Sequence, residues 1–326
     1  MRAIIAGTNG PAIGEFDKPS PGPGFVLIKL RAAALNRADL SMLTGDSHGL
    51  MGGVGQPLGL EWSGEVVELG DGVTSASVGD RVMSAGPRAF SEYLVTKPEW
   101  LHPIPATLSY EEAAGLPVSM QTMHDAVVTL GGLVAGESVL IQGASSAMGL
   151  MGLQVAKRFG AATVIGTSTT AARRERLTEF GADLALDPTD PEWVRGVLRS
   201  TKRKGVDLSV DLVAGRLVNQ TIQATRVAGR LINIGRMGGN KVEIDLEEHS
   251  ARRIQYFGTT FRSRTLGEID EVIASAREAL LPGIADGSLR MPVDHVLKAT
   301  EYEAAFARMA ANEHLGKIII NLEDLA

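Results

Sequence analysis

The 326-residue chain contains no cysteine. That removes disulfides, thiolate catalysis and every Cys-containing zinc site together, and it agrees with a reducing compartment. Positive charge is also scarce. With 32 Lys and Arg against 38 Asp and Glu the net charge is −6, so no global basic field draws in nucleic acid or acidic headgroups. No run of about 18 uninterrupted apolar residues occurs, which excludes an ordinary membrane-spanning helix. The opening Met1-Arg-Ala-Ile-Ile-Ala-Gly7 carries one basic residue and an apolar run broken at Gly7, unlike a signal peptide. The expectation is a cytoplasmic protein that neither enters a membrane nor binds extended nucleic acid.

What the chain has in excess is glycine, 38 of 326 residues or about 12% against a usual value near 7%. The glycines punctuate rather than repeat. Up to about Leu116, short apolar or alternating runs (Arg2 to Ile5, Phe25 to Arg31, Ser63 to Leu69, Arg81 to Met83) are separated by Gly, Pro, Asp and Asn. This pattern predicts a mostly antiparallel β domain with large loops. From about Ser138 the texture changes. Candidate strands Val139–Gln142, Thr163–Thr167, Leu184–Leu186, Leu208–Val213, Leu231–Gly235 and Gln255–Gly258 alternate with helical segments Gly149–Phe159, Ala171–Phe180, Glu192–Thr201 and Arg216–Val227. Strand and helix in alternation predict a doubly wound parallel sheet, hence an α/β protein. A helix over Leu266–Leu280 and a last strand at Lys317–Asn321 complete the chain, and this tail is expected to rejoin the first domain. The expected division is 1–116, 117–258 and 259–326.

The densest chemical signal is Val139-Leu-Ile-Gln-Gly143-Ala-Ser-Ser-Ala-Met-Gly149, a buried strand passing through small residues into a helix. Small side chains let backbone N–H groups approach a pyrophosphate at the helix N-terminus, where the dipole also favours an anion. The spelling departs from G-x-G-x-x-G, since Ser146 and Ala147 stand where glycines are usual. A tight strand-to-helix turn alone has the same spelling, but its place at the head of six alternating strands favours a nucleotide. About 20 residues on, an NAD site calls for Asp or Glu, and none precedes Glu175. Ser168, Thr169, Thr170, Arg173 and Arg174 stand there instead, hydroxyls and guanidinium groups suited to a 2′-phosphate. NADPH is therefore the expected cofactor, the alternative being that these arginines only solvate a helix turn.

Several stretches then resemble one family in order along nearly the whole chain. They are Ala34-Leu-Asn36-Arg-Ala-Asp39, Pro57-Leu-Gly-Leu-Glu61-Trp-Ser-Gly64, Val78-Gly-Asp80-Arg81-Val, Ala89-Phe-Ser-Glu-Tyr93, Phe180-Gly-Ala-Asp183, Gly229-Arg-Leu-Ile-Asn-Ile-Gly235, Gly258-Thr-Thr-Phe-Arg262 and Gly316-Lys-Ile-Ile-Ile. The chain resembles the zinc-free medium-chain dehydrogenase/reductases, in particular the NADPH:quinone oxidoreductase (zeta-crystallin-like) branch. The resemblance implies a GroES-like catalytic domain built from both chain ends, a Rossmann nucleotide domain between them, a cleft that holds the reaction, and a homodimer. It implies hydride transfer from NADPH to a quinone or a related conjugated carbonyl. An enone or enoyl-thioester is the alternative acceptor, and an NADPH-binding structural or RNA-associated protein is the alternative of a different class.

Zinc relatives of the family carry Gly-His-Glu where this chain reads Gly59-Leu60-Glu61. With Leu60 in that place, no cysteine, and six histidines in no metal-ligand spacing, no metal site is expected. By resemblance Asn36 lies at the cofactor and the reacting centre, and Asp39 shapes the same loop, although both could simply pin a turn. His48 replaces a loop tyrosine of many relatives and is the candidate proton donor, or else an exposed loop histidine. Glu61 is expected to be structural. Cofactor contacts map onto Thr122, Ser145, Ser146, Ala147, Met148, Gly149, Thr167, Ser168, Thr169, Arg173, Gly235, Phe261, Arg262, Asn312 and Lys317. The run Gly235–Ile244 reads as a loop plus an edge strand and is the candidate dimer seam.

Overall fold

The computed structural model describes residues 1–43, 47–48 and 51–325, with side chains at 47, 48 and 51 outside the description. It divides into two compact units, residues 1–121 with 261–326, and residues 122–260. The breaks fall a few residues beyond those expected at 116 and 258.

The first stretch forms β1 (Arg2–Gly7), β2 (Gly10–Glu15), β3 (Val26–Ala34), α1 (Arg37–Leu43), β4 (Ser47–His48), β5 (Met51–Gly52), β6 (Glu61–Leu69), β7 (Arg81–Ala85), β8 (Tyr93–Thr96), β9 (His102–Pro103), α2 (Tyr110–Ala114) and α3 (Pro117–His124). Helix α2 starts where the sequence is built for it: the Ser109 hydroxyl accepts from the Glu112 N–H while the Glu112 carboxylate accepts from the Ser109 N–H. The second unit carries β10 (Ser138–Gln142), α4 (Ala147–Arg158), β11 (Thr163–Thr167), α5 (Ala171–Glu175), β12 (Leu184–Leu186), α6 (Trp193–Ser200), β13 (Val206–Asp211), α7 (Val218–Ala224), β14 (Thr225–Asn233), α8 (Leu246–Arg252) and β15 (Gln255–Gly258). The chain then returns to the first unit with α9 (Leu266–Ala285), β16 (Val293–Lys298), α10 (Tyr302–Ala311) and β17 (Lys317–Asn321).

In the first unit β16, β17, β3, β6, β7 and β9 form one sheet in that order, with β8 paired to β3. Strand β17 runs antiparallel to β3, Ile319 opposite Ala34, so the last strand of the chain is stitched to one of its first. Ile318, Ile319 and Ile320 are all fully buried. A run of β-branched residues with both faces covered has no alternative to a central strand position. This pairing also sets the first residue of β17, Lys317, beside the interior rather than in water.

The second unit is a six-stranded sheet in the order β12-β11-β10-β13-β14-β15, all neighbours parallel. Numbered from its first strand the order is 3-2-1-4-5-6, the doubly wound arrangement, and the direction of winding reverses between β10 and β13. Val139, Leu140 and Ile141 are fully buried in β10, as a strand covered on both faces requires. The expected helix over Arg216–Val227 ends earlier, at Ala224. Thr225 instead begins β14 opposite Val206, and its hydroxyl bonds Ser209. No strand forms over 236–245, and the sheet edge is β15. With no partner strand among the described residues and with Gly238, Gly239 and Asn240 in its middle, the expected edge strand there is a loop.

Candidate functional site

The first unit buries a charged cluster. Lys317 at the start of β17 is 2% exposed, Glu61 at the start of β6 is fully buried, and Asn36, just before α1, is 8% exposed. The Lys317 ammonium donates to Glu61 Oε1 and to Asn36 Oδ1, the latter at 2.8 Å. Asn36 Nδ2 donates to the same Glu61 oxygen at 2.9 Å, and the second Glu61 oxygen accepts from the Val118 N–H at 3.0 Å. A lysine can lie here because Gly115 leaves room for it: a Cβ on Gly115 would stand 2.9 Å from Lys317 Cγ. The three groups close a triangle in which the amide has no rotational freedom left. An amide flip would set its NH2 against the ammonium.

Asp39, fully buried on α1, accepts from the Asn36 N–H at 2.7 Å through Oδ2. Burial pushes its carboxyl up to about 7. The Asn36 N–H and the Lys317 charge oppose this rise, and the Glu61 charge adds to it. Asp39 thus pins the turn that carries Asn36. His48 lies on β4 with its side chain outside the described residues.

Zinc has no fit in this cluster. Leu60 packs in the apolar core of the unit, and both Glu61 oxygens are taken by Lys317, Asn36 and Val118. Among the described residues no group of three His, Cys, Asp or Glu could hold a metal ion.

In the second unit the turn between β10 and α4 is assembled by side chains acting behind it. Gly143 takes φ 76°, and its N–H donates to Thr167 Oγ1 at 3.0 Å. The Thr167 hydroxyl donates in turn to Gln142 Oε1, and Gln142 Nε2 donates to Thr221 Oγ1 at 3.1 Å. Thr167 and Gln142 are fully buried, so Thr167 supports the turn from behind rather than presenting its hydroxyl to a ligand. Ser146, where a glycine is usual, is the helix N-cap: its hydroxyl accepts from the Gly149 N–H at 3.1 Å and donates to the Gly143 carbonyl at 2.9 Å. This satisfies one orphan donor and leaves the N–H groups of Ala147 and Met148 without carbonyls one turn back. Gly149 itself is obligatory, since a Cβ there would stand 2.4 Å from Ala144 Cα.

Ser145 through Met148 are half-buried, and the Ser168 hydroxyl, just past β11, donates to Ser145 Oγ at 2.9 Å. A phosphate-cradling strand–turn–helix with free N–H donors is the geometry of a dinucleotide's pyrophosphate site. Thr169 is exposed beside it and Arg173 is half-buried on α5. Gly235 follows β14, where a Cβ would stand 2.2 Å from the Leu212 carbonyl, and Thr122 lies half-buried on α3. Phe261 and Arg262 belong to the first unit, as do Asn312, whose Oδ1 accepts from Arg37 at 2.7 Å, and Lys317. The structure thus brings together Asn36, Asp39 and Lys317 in one unit, and Ser145 to Gly149 with Thr167 and Ser168 in the other.

Sequence reasoning missed the part of Glu61 as the partner of Lys317, and the bond from Arg174 to Asp187 (3.0 Å). A charged residue opening the apolar run Lys317-Ile-Ile-Ile was the available signal for the first. The second left none, because Asp187 stands 13 residues beyond Arg174 in an unremarkable turn.

Two family models match the chain: an alcohol dehydrogenase GroES-like domain over residues 22–106 and a zinc-binding dehydrogenase over residues 147–278. A subunit of the phenolphthiocerol/phthiocerol polyketide synthase of Mycobacterium tuberculosis is 28% identical over 94% of this chain, which spans 14% of that protein's length. An alcohol dehydrogenase superfamily protein from Novosphingobium aromaticivorans aligns at TM-score 0.89 and 25% identity, over 99% of this chain and all of its own. The JamJ enoyl reductase (TM-score 0.85) and a quinone oxidoreductase from Pseudomonas syringae pv. Tomato DC3000 (TM-score 0.83) share the fold at 23% identity. Each covers 98% of this chain, with 98% and 99% of their own lengths aligned.

Proposed function

Because the chain belongs to the medium-chain dehydrogenase/reductase superfamily and is an oxidoreductase of that kind, we propose that it uses NADPH to reduce a quinone or a related conjugated carbonyl without a metal ion. The observation that carries this reading is the Asn36–Glu61–Lys317 triangle. The carboxylate that follows Leu60 is neutralised by an internal ammonium, so no vacant ligand set is left for a Lewis acid. Without one, alcohol oxidation loses its usual means of stabilising an alkoxide. An electron-poor quinone needs less help, since charge arriving on it is spread onto oxygen and its protons come from water.

A nicotinamide cofactor supplies the hydride in such a reaction. The chain's own part is to hold the pyrophosphate on the N–H groups of Ala147 and Met148, to meet a 2′-phosphate with the hydroxyls and arginines that follow β11, and to fix the Asn36 amide that positions the acceptor. Missing acidic residues at Ser168–Arg174 support NADPH over NADH. We also propose pairing of two copies along the open edge of β15, where Phe257 is 41% exposed. Sedimentation of the purified chain as a monomer at micromolar concentration would remove that part.

An enone or enoyl-thioester acceptor is the second reading, supported by the polyketide synthase and enoyl reductase similarities. Initial rates of NADPH and NADH oxidation with 1,4-quinones, 2-alkenals and enoyl-CoA thioesters decide between them. Turnover fastest with NADPH and a quinone supports the proposal. Turnover confined to enoyl thioesters replaces it with the second reading, and tight NADPH binding with no turnover of any acceptor points to a non-catalytic protein.

A further inference from the structure

Arg174 is anchored by one nitrogen only. Its Nη1 donates to the Ser168 carbonyl at 2.8 Å and to Asp187 Oδ2 at 3.0 Å, which uses both hydrogens of that nitrogen. The two acceptors occupy matching places in the sheet. Thr167 stands opposite Leu186 in the β11–β12 pairing, so Ser168 and Asp187 each follow the last paired residue of neighbouring strands, and the Ser168 N–H donates to the Leu186 carbonyl at 3.0 Å.

Asp187 is itself held. Its Oδ1 accepts from the Thr189 N–H at 2.9 Å and the Thr189 hydroxyl at 2.7 Å. These bonds, with the Arg174 charge behind them, keep its carboxyl below the usual range. The Nε–Nη2 edge of Arg174 makes no bond to any described residue. That edge carries two parallel N–H groups, the fork that fits a phosphate. The pair is about one-quarter exposed, and an ion pair so placed adds little to stability. Its physical consequence is orientation, as a free arginine would lose rotamer freedom on meeting a ligand and this one has lost it already.

We infer that Asp187 sets the cofactor preference of this protein, as a positioning residue that holds Arg174 by Nη1 and leaves its Nε–Nη2 edge for the 2′-phosphate. This rests on the NADPH reading and moves the principal phosphate contact from Arg173, favoured by the sequence, to Arg174. The Ser168 hydroxyl, tied to Ser145, lies on the same strand end, so phosphate reading and pyrophosphate binding share one support.

Calorimetric titration of the full chain with 2′,5′-ADP and 5′-AMP, and with NADPH and NADH, isolates the 2′-phosphate from the rest of the cofactor. Asp187→Ala and Arg174→Ala are each expected to lower the preference for 2′,5′-ADP over 5′-AMP by about tenfold, while the affinity for 5′-AMP barely moves. Asp187→Ala placed in the Arg174→Ala background should add nothing, because Asp187 acts through Arg174. Asp187→Asn keeps only one acceptor oxygen, and with that oxygen on Thr189 its NH2 faces Arg174 Nη1, so it should lose the preference much as Asp187→Ala does. An unchanged preference in Asp187→Ala overturns the inference, and an increased one shows instead that Asp187 competes with the phosphate. If the wild type discriminates and only Arg173→Ala abolishes it, this inference falls while the NADPH reading stands. If the wild type does not discriminate at all, both fall.

Discussion

Replacing Lys317 by methionine keeps the stem against Gly115 and removes the ammonium together with its hydrogen bonds to Glu61 and Asn36. Glu61 is then a fully buried carboxylate whose remaining bonds come from Asn36 Nδ2 (2.9 Å) and the Val118 N–H (3.0 Å). Breaking a buried pair from one side costs about 3–5 kcal/mol, since the other charge is left uncompensated. Two surviving donors place the expected loss at the lower end, about 3 kcal/mol. The double variant Lys317→Met/Glu61→Gln removes both charges and keeps an acceptor for Val118, so most of the loss should return. The assay is urea unfolding of each variant, reading the transition of the first unit separately because a two-unit chain need not unfold in one step. A Lys317→Met variant within about 0.5 kcal/mol of wild type, or a double variant no better than the single, would show that the cluster is not a coupled ion pair.

Four further outcomes are expected. His102 is fully buried with Nδ1 unpartnered, and burial, aided by the Arg277 charge, lowers its pKa to about 4. Its depressed value means that stability is lost as pH falls from about 6.5 toward 4, by about 3 kcal/mol in all, and His102→Met should flatten that part of the acid-unfolding curve. Asp39 shifts the other way: raised to about 7, its contribution is complete below about 4 and is lost as pH rises through 7. Asp39→Asn, which still accepts from the Asn36 N–H, should therefore gain on wild type between pH 5 and pH 8 in equilibrium unfolding. Asn36→Ala should lower kcat/KM for a quinone by at least about tenfold through lost positioning. His48→Ala should leave quinone turnover and its pH profile nearly intact, and collapse of that turnover with loss of a limb near neutrality would identify His48 as a dedicated acid.

Strands Thr163–Thr167, Leu184–Leu186, Gln255–Gly258 and Lys317–Asn321 are readable from the sequence to the residue, because each is a short apolar run closed by glycine, proline or polar residues. The end of α7 is not readable. Ala224-Thr225-Arg226-Val227 continues the helical spacing, and only pairing with Val206, remote in the chain, turns Thr225 into strand. The turn after β10 is legible as a strand-to-helix turn of small residues, whereas Ser146 reads as a departure from the glycine pattern. Its N-cap bond to Gly149 shows it to be the device that ends the turn. The triangle is the opposite case. Asn36, Glu61 and Lys317 were each visible singly, yet Lys317 lies 281 residues from Asn36, and only the β17–β3 pairing brings them together.

Turnover of NADPH with a 1,4-quinone by protein treated with a strong chelator, and then assayed for metal content, tests metal-free reduction most directly. Undiminished kcat with no stoichiometric zinc is expected. Loss of activity on chelation, restored by one equivalent of zinc per chain, would contradict it.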